Sequence, residues 1–459
     1  MLHAVRPNFL DNGIVHRTAG LISPERGMKL GPGWAATDHE PPTTAMQPTP
    51  KSLRLHIGLF GRRNAGKSSL LNAMTRQDVS IVSEIAGTTT DPVEKPMELL
   101  PLGPVLFIDT AGIDDQGALG EKRVQKTRQV FDRTDVGVLV VDAGCWEDFE
   151  EGIFHELQSR KIPTIIALNK SDIARPPAAL QEKLRAAGTP FIETVAGEDH
   201  DVLNLREALI QAAPEDFLRA PAIVADLVPP GEMAVLVAPI DMEAPKGRLI
   251  VPQVQTIRDL LDGDAYCMVV KERELRDALG RLNRPPALVV TDSQAFLKVA
   301  ADTPPDVKMT SFSILFARQK GDLRQFVEGA LAIERLRPGD RVLVAEACTH
   351  HPIGDDIGRV KIPRWLKQYV GGDLRIDTMQ GRDFPAELGE YRLVIHCGAC
   401  MWNRREMLTR MAQVSQVGVP ICNYGMTIAY TLGIFERALA PFPDAIEAFR
   451  RLRGSDDRV

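Results

Sequence analysis

An α/β chain in three consecutive parts is predicted by three observations. Residues 55–74 read as a strand, a glycine-bearing loop and a helix; short Val-, Ile- and Leu-rich strands then alternate with helical stretches as far as residue 437; and two Cys/His clusters each follow directly on such a strand. Alternating strands and helices build parallel sheets, whose sites lie beyond the carboxyl ends of the strands.

Composition narrows the function classes. The 459 residues are enough for three domains, and 44% hydrophobic with 25% charged is an ordinary globular balance. A formal net charge of −6 argues against a nucleic-acid partner, which calls for a basic excess. Six cysteines are too few for a disulfide framework, and three fall in one metal-like pattern, so a reducing compartment is expected. No apolar run reaches the roughly 18 residues of a membrane helix. The N-terminus has no apolar signal core, so a cytoplasmic protein with no membrane partner is expected.

Residues 1–52 carry no sustained periodicity and contain Pro41-Pro42 and Pro48-Thr49-Pro50; a disordered extension is expected there. The first domain is expected over 53–215. Its opening strand runs into Gly61-Arg62-Arg63-Asn64-Ala65-Gly66-Lys67-Ser68 and a helix, the strand–loop–helix setting of a P-loop. Main-chain N–H groups of such a loop wrap phosphates, and the helix N-terminus adds a favourable dipole. The phosphate-binding set is therefore Gly61, Asn64, Ala65, Gly66, Lys67, Ser68 and Ser69, with Lys67 reaching the β and γ phosphates and Ser68 on magnesium.

A second strand ends at Asp109-Thr110-Ala111-Gly112, where Asp109 holds magnesium through water and the Gly112 N–H senses the γ-phosphate. Another ends at Asn169-Lys170-Ser171-Asp172. The Asp172 carboxylate there accepts two hydrogen bonds that only guanine offers, so the nucleotide is GTP or GDP. The polar stretch 85–92 has the composition of a switch, in which Thr88 meets the nucleotide and Thr89 completes the magnesium shell. Val195 and Ala196 are placed to back the base. The residues expected to act on the phosphate are Lys67, Asn64, Thr89, Asp109 and Gly112.

Asn64-Ala65-Gly66-Lys67-Ser68 with Ala86-Gly87-Thr88-Thr89 resembles the tRNA-modification GTPase family. That resemblance implies a potassium ion on Asn64 in place of an arginine finger. Ile113 stands where Ras-like enzymes place a water-orienting Gln, so slow unaided hydrolysis is expected. Glu121, twelve residues beyond Asp109, has two readings, a water-orienting carboxylate or a solvated helix-start Glu, of which the second is preferred.

Residues 216–303 are expected to form a smaller α/β domain with strands at 233–237, 248–251, 266–270 and 287–290 and helices at 256–261 and 272–282. It shows no catalytic constellation, and an exposed sheet edge makes it a pairing surface. Residues 304–459 are expected to form the third domain, opening with 309–318, continuing with a helix over 323–336 and strands over 341–347 and 391–395, and closing with a helix over 427–437. It holds the two clusters, Cys348-Thr349-His350 and His396-Cys397-Gly398-Ala399-Cys400. Spacing alone leaves two readings open: a Cys3His structural zinc, or a four-iron cluster short of one thiolate.

Thr88-Thr89-Thr90-Asp91-Pro92-Val93, the run 309–318 followed by Gly321-Asp322-Leu323, and 346–351 with 396–400 together resemble the HydF family of [FeFe]-hydrogenase maturation GTPases, over about residues 53–440. The resemblance implies an α/β P-loop GTPase domain followed by a small α/β dimerisation domain and an α/β iron–sulfur cluster-binding domain. It implies a [4Fe-4S] cluster on Cys348, Cys397 and Cys400, with His350 and His396 as a labile fourth ligand or as supporting groups; Glu346 and His351 are weaker candidates. It implies a scaffold for the two-iron subcluster, with [FeFe]-hydrogenase and the radical-SAM maturation proteins as partners, in a homodimer or higher oligomer. The competing expectation is a potassium-dependent GTPase of tRNA modification or ribosome assembly with a structural zinc module.

Overall fold

In the first sheet the strands buried at every residue lie inside, and a strand carrying three charged residues and a proline lies at an edge. The computed structural model describes residues 49–75, 92–110, 118–195, 199–218, 221–239, 249–347, 356–382, 384–385 and 387–456. The strands are β1 (Leu55–Phe60), β2 (Val93–Leu99), β3 (Gly103–Asp109), β4 (Val136–Asp142), β5 (Thr164–Asn169) and β6 (Phe191–Thr194), in the order β2-β3-β1-β4-β5-β6. β1 and β5 are buried at every residue, as strands covered on both faces must be. Only β2 runs antiparallel, and it carries Pro96 at the sheet edge, where a missing N–H is tolerated.

The second sheet takes β7 (Met233–Val237), β8 (Tyr266–Val270), β9 (Leu288–Thr291) and β10 (Met309–Ser311) in the order β10-β9-β7-β8, all parallel. Two expectations are corrected here. The strand expected at 248–251 is absent where described: Val251 opens a helix, Val251–Asp262, because Pro252 pre-sets its first turn and the Gln253 side chain accepts the Ile250 N–H at 3.1 Å. Residues 309–311, expected to open the third part, belong to the second sheet, with Met309 beside Val289. Ser311 then caps the helix Phe312–Lys320 by accepting from the Ile314 N–H at 3.2 Å.

The third sheet has β11 (Arg341–Glu346), β12 (Arg375–Gln380), β13 (Leu393–His396) and β14 (Ile421–Asn423) in the order β12-β11-β13-β14, all parallel as expected. The helix expected over 427–437 is two, Tyr424–Thr431 and Phe435–Leu439, because Gly433 between them takes φ +74°. Second and third sheets share one core, running from Val235 and Val289 through Phe316 and Phe326 to Val342 and Ile395. The first sheet has separate cores on its two faces.

Candidate functional site

The phosphate loop leaves β1 and returns into the helix Lys67–Thr75. Gly61 and Gly66 take φ +143° and +95°, and a side chain on Gly66 would lie 2.0 Å from the Asn169 amide nitrogen. Asn64 is also left-handed, at φ +64°, and exposed. Lys67 Nζ donates to the carbonyls of Gly61 at 2.9 Å and Arg62 at 2.7 Å, spanning the mouth of the loop. Ser68 Oγ donates to Asp109 Oδ2 at 2.8 Å, while Asp109 Oδ1 is buried with no hydrogen-bond partner. Burial holds the Asp109 carboxyl above its usual range, against the Ser68 hydroxyl and the Lys67 and Lys95 charges. A hard cation between Ser68 and Asp109 would satisfy that oxygen, so the pair fits magnesium.

At the base end, Asn169 Nδ2 donates to the Ala65 carbonyl at 2.8 Å, tying the loop to the end of β5. Lys170 takes φ +61° and pairs with Asp142 at 2.9 Å, and Asp172 is exposed. The Val195 N–H donates to Asp201 at 2.8 Å. Ser69 is exposed on the first turn of the helix. Thr88, Thr89, Gly112 and Ala196 lie outside the described residues.

The second site lies beyond the ends of β11 and β13, where parallel-sheet geometry predicts it. Cys397 and Cys400 open into one cavity of about 250 Å³, walled by Glu346, Asp356, Gly358, Ser313 and Tyr424. Cys397 Sγ accepts the Ala347 N–H at 3.1 Å, and burial pushes its thiol up to about 11. Glu346, only 3% exposed, takes a hydrogen bond from Gln380 at 2.9 Å on one oxygen and from Tyr424 at 3.3 Å on the other. A single π-helical turn, Ile357–Lys361, brings Gly358 against this pair; a Cβ there would lie 2.1 Å from Tyr424 Oη and 2.7 Å from Glu346 Oε1.

His396 stands apart from this cavity. As the last residue of β13 it points to the opposite face from Cys397. It is fully buried, with Nδ1 2.8 Å from the Cys397 carbonyl, Nε2 3.4 Å from Arg410 and its ring against Trp402. Burial, with the Arg410 charge, lowers its pKa to about 3. Of the two roles expected for His396, cluster ligand is corrected by its burial outside the cavity that Cys397 and Cys400 line. Cys348, His350 and His351 lie outside the described residues; among those described, no three His, Cys, Asp or Glu side chains gather as a metal centre. Cys422 is a core thiol, fully buried.

The two sites are joined through the helix Ala118–Arg133, which follows the 109–112 segment, and the helix Arg404–Gln416, which follows Cys400. Asn403 caps the latter by accepting from the Glu406 N–H at 3.2 Å and donates its Nδ2 to the Arg133 carbonyl at 2.9 Å and to Asp135 at 3.1 Å. Thr409 and Arg405 add bonds to the carbonyls of Asp132 at 3.1 Å and Arg160 at 2.6 Å. Nothing in the sequence motifs marked Asn403; its capping position before a helix was the available signal.

Comparison with known proteins supplies the frame for this pairing. Residues 56–170 match the model of a 50S ribosome-binding GTPase, 223–321 that of the hydrogen maturase F dimerization domain, and 324–441 that of the hydrogen maturase F tetramerization domain. Over 123 residues the chain is 37% identical to the GTPase Der of Wolinella succinogenes, covering 26% of each. Over 161 residues it is 34% identical to the tRNA modification GTPase MnmE of Chromobacterium violaceum, covering 34% of this chain and 33% of that protein. The chain thus spans about a quarter to a third of the length of these curated relatives. Among solved structures, Era of Aquifex aeolicus is 21% identical with a TM-score of 0.31, over 47% of this chain and 93% of that one. The likeness to Der and MnmE covers 26% and 34% of the chain, whereas residues 223–321 and 324–441 match hydrogen maturase F; the chain belongs to the HydF family of hydrogenase maturation GTPases.

Proposed function

We propose that the chain is a GTP-hydrolysing scaffold that holds a [4Fe-4S] cluster and delivers the two-iron subcluster precursor to [FeFe]-hydrogenase, working with the radical-SAM maturation proteins in the cytoplasm. The observation that supports this best is the cavity shared by Cys397, Cys400 and Glu346. Cys348, two positions beyond the end of β11, supplies the third thiolate, and Glu346 or His350 a weaker fourth ligand. Held by three thiolates, such a cluster would supply a site for an exchangeable ligand beside Glu346. The N–H of Ala347 aimed at Cys397 Sγ suits a thiolate ligand.

On the nucleotide side, Lys67 neutralises the β and γ phosphates, Ser68, Thr89 and Asp109 hold magnesium, Gly112 senses the γ-phosphate, and Asn169, Lys170 and Asp172 read guanine. Asn64, left-handed and exposed at the loop, holds potassium. Replacing potassium with sodium is expected to slow phosphate release several-fold, and equal rates would remove that role. GTP sets the affinity for partners by favouring one of two conformations, through the Asn403 contact with the end of Ala118–Arg133.

The test is electron paramagnetic resonance on anaerobically iron-reconstituted, reduced protein, with and without imidazole. A four-iron signal that shifts with imidazole and disappears in Cys348→Ser, Cys397→Ser and Cys400→Ser is the expected result. Stoichiometric zinc with no such signal would support instead a potassium-dependent GTPase of tRNA modification or ribosome assembly with a structural zinc module.

A further inference from the structure

The segment 397–402 that carries two of the cysteines has little regular structure of its own: Ala399 is left-handed at φ +47°, and one turn closes from the Trp402 N–H to the Ala399 carbonyl at 3.0 Å. What fixes it is a cation from another part of the chain. Lys320, the last residue of Phe312–Lys320 and only 3% exposed, donates Nζ to the carbonyls of Ala399 at 2.9 Å, Cys400 at 3.2 Å and Trp402 at 2.6 Å. Its ammonium also lies 5.5 Å from the Phe316 ring. The hold is reciprocal. Arg404, on the first turn of the helix after the cysteine loop, donates Nη1 to the carbonyls of Gln319 and Gly321, the two residues flanking Lys320.

An ammonium has three donors in a rotatable array, and three converging carbonyls use it fully. Carbonyls at the end of Phe312–Lys320 are the ones a helix leaves unsatisfied, so Arg404 completes that end while Lys320 completes the loop. Each segment's main chain is held by the other's charge. Both contacts are costly to lose, because these carbonyls would give up charged donors, and of the three that Lys320 meets only Ala399 has the Trp402 N–H beside it.

We infer that Lys320 is a positioning residue for the metal site: its ammonium, clamped with Arg404, holds the 397–402 loop in its ligating shape before any metal arrives and keeps a fixed positive charge against the bound cluster. This rests on the cluster reading above. A charge so placed favours the more negative, reduced state of a cluster, so its removal makes reduction harder.

The test uses the full chain as wild type, Lys320→Met and Lys320→Gln, each metal-free and after anaerobic reconstitution with iron and sulfide. In the metal-free proteins, maleimide labelling of Cys397 and Cys400 is expected to be slowest in wild type, several-fold faster in Lys320→Gln and faster still in Lys320→Met. After reconstitution, Lys320→Met is expected to hold less than half the wild-type iron, and Lys320→Gln to hold most of it at a more negative midpoint potential. GTP hydrolysis is expected to be unchanged in both. Equal labelling rates, iron and potential in all three overturn the inference. If Lys320→Met does not accumulate folded, the wild-type against Lys320→Gln comparison decides it. If wild type binds no iron, the cluster reading fails, and the labelling rates still decide whether Lys320 holds the loop.

Discussion

The phosphate loop and the cysteine loop solve the same problem by different means. Around the phosphates the binding groups come from one contiguous stretch, Gly61 to Ser69, tied to β5 through Asn169. A phosphate is bound by main-chain N–H groups, so one loop of the right shape suffices. A soft-metal site, as proposed here, needs side chains, and the cavity draws its walls from β11, the π-helical turn, the 397–400 loop and the helices opening at Phe312 and Tyr424. The lesson is that damage at the first site falls on the chemistry, whereas damage at the second falls on the frame that carries the ligands.

The sharpest test of that division is Lys67→Ala. Phosphate release is expected to fall at least about a hundredfold, from loss of a charge on the transferred group, with iron content unchanged; a parallel loss of iron would break the separation of the two sites. Next comes Gly358→Ala, which touches neither nucleotide nor cysteine. Its Cβ has no room beside Tyr424 and Glu346, so a destabilisation of about 1–3 kcal/mol in urea unfolding is expected. Reconstituted iron is expected to drop by half or more while GTP hydrolysis holds. Full iron binding in that variant would mean that the wall yields and the frame is less exacting than argued.

The same contrast explains what could be read in advance. The P-loop, Asp109 and 169–172 are short and contiguous, and their strands are apolar on both faces, so pattern and motif coincide. Cys397 and Cys400 were read from an equally short run, but the side of the strand on which His396 falls needed the sheet. Two edge strands escaped notice: β2 carries Pro96 and charges, and β12, Arg375–Gln380, is half-exposed with no clean alternation. The boundary near 304 was misplaced because β10 is only Met309–Ser311 and runs straight into a helix, so the two read as one apolar run. Lys320 carries no local signal, since its acceptors lie about 80 residues away.

Where the two regions meet, Asn403→Ala sharpens the comparison by cutting both a helix cap and the bonds to Arg133 and Asp135. A loss of about 1–2 kcal/mol in urea unfolding is expected, together with loss of any GTP-dependent change in the cluster's resonance line shape. A line shape that still responds to GTP would place the coupling elsewhere.

The effect that depends on pH belongs to Asp135, the carboxylate at that junction. It accepts the His56 N–H at 2.9 Å and the Asn403 amide at 3.1 Å. Burial pushes its pKa from 3.8 up to about 6, the two hydrogen bonds and the Arg405 charge pulling down and Glu406 pushing up. Between about pH 4 and 6 the folded chain therefore binds the proton that the unfolded chain releases. That contribution is complete below 3.8 and is lost as pH rises through 6. Asp135→Asn keeps a carbonyl acceptor for both donors and cannot ionise. Because His56, lowered to about 4, and Glu406, raised, titrate in both proteins, the informative quantity is the difference between them. The variant is expected to match wild type in urea midpoint at pH 4 and to exceed it at pH 7. Equal midpoints at both values would mean that the junction keeps Asp135 hydrated, and that the two domains are held by Asn403, Arg405 and Thr409 alone.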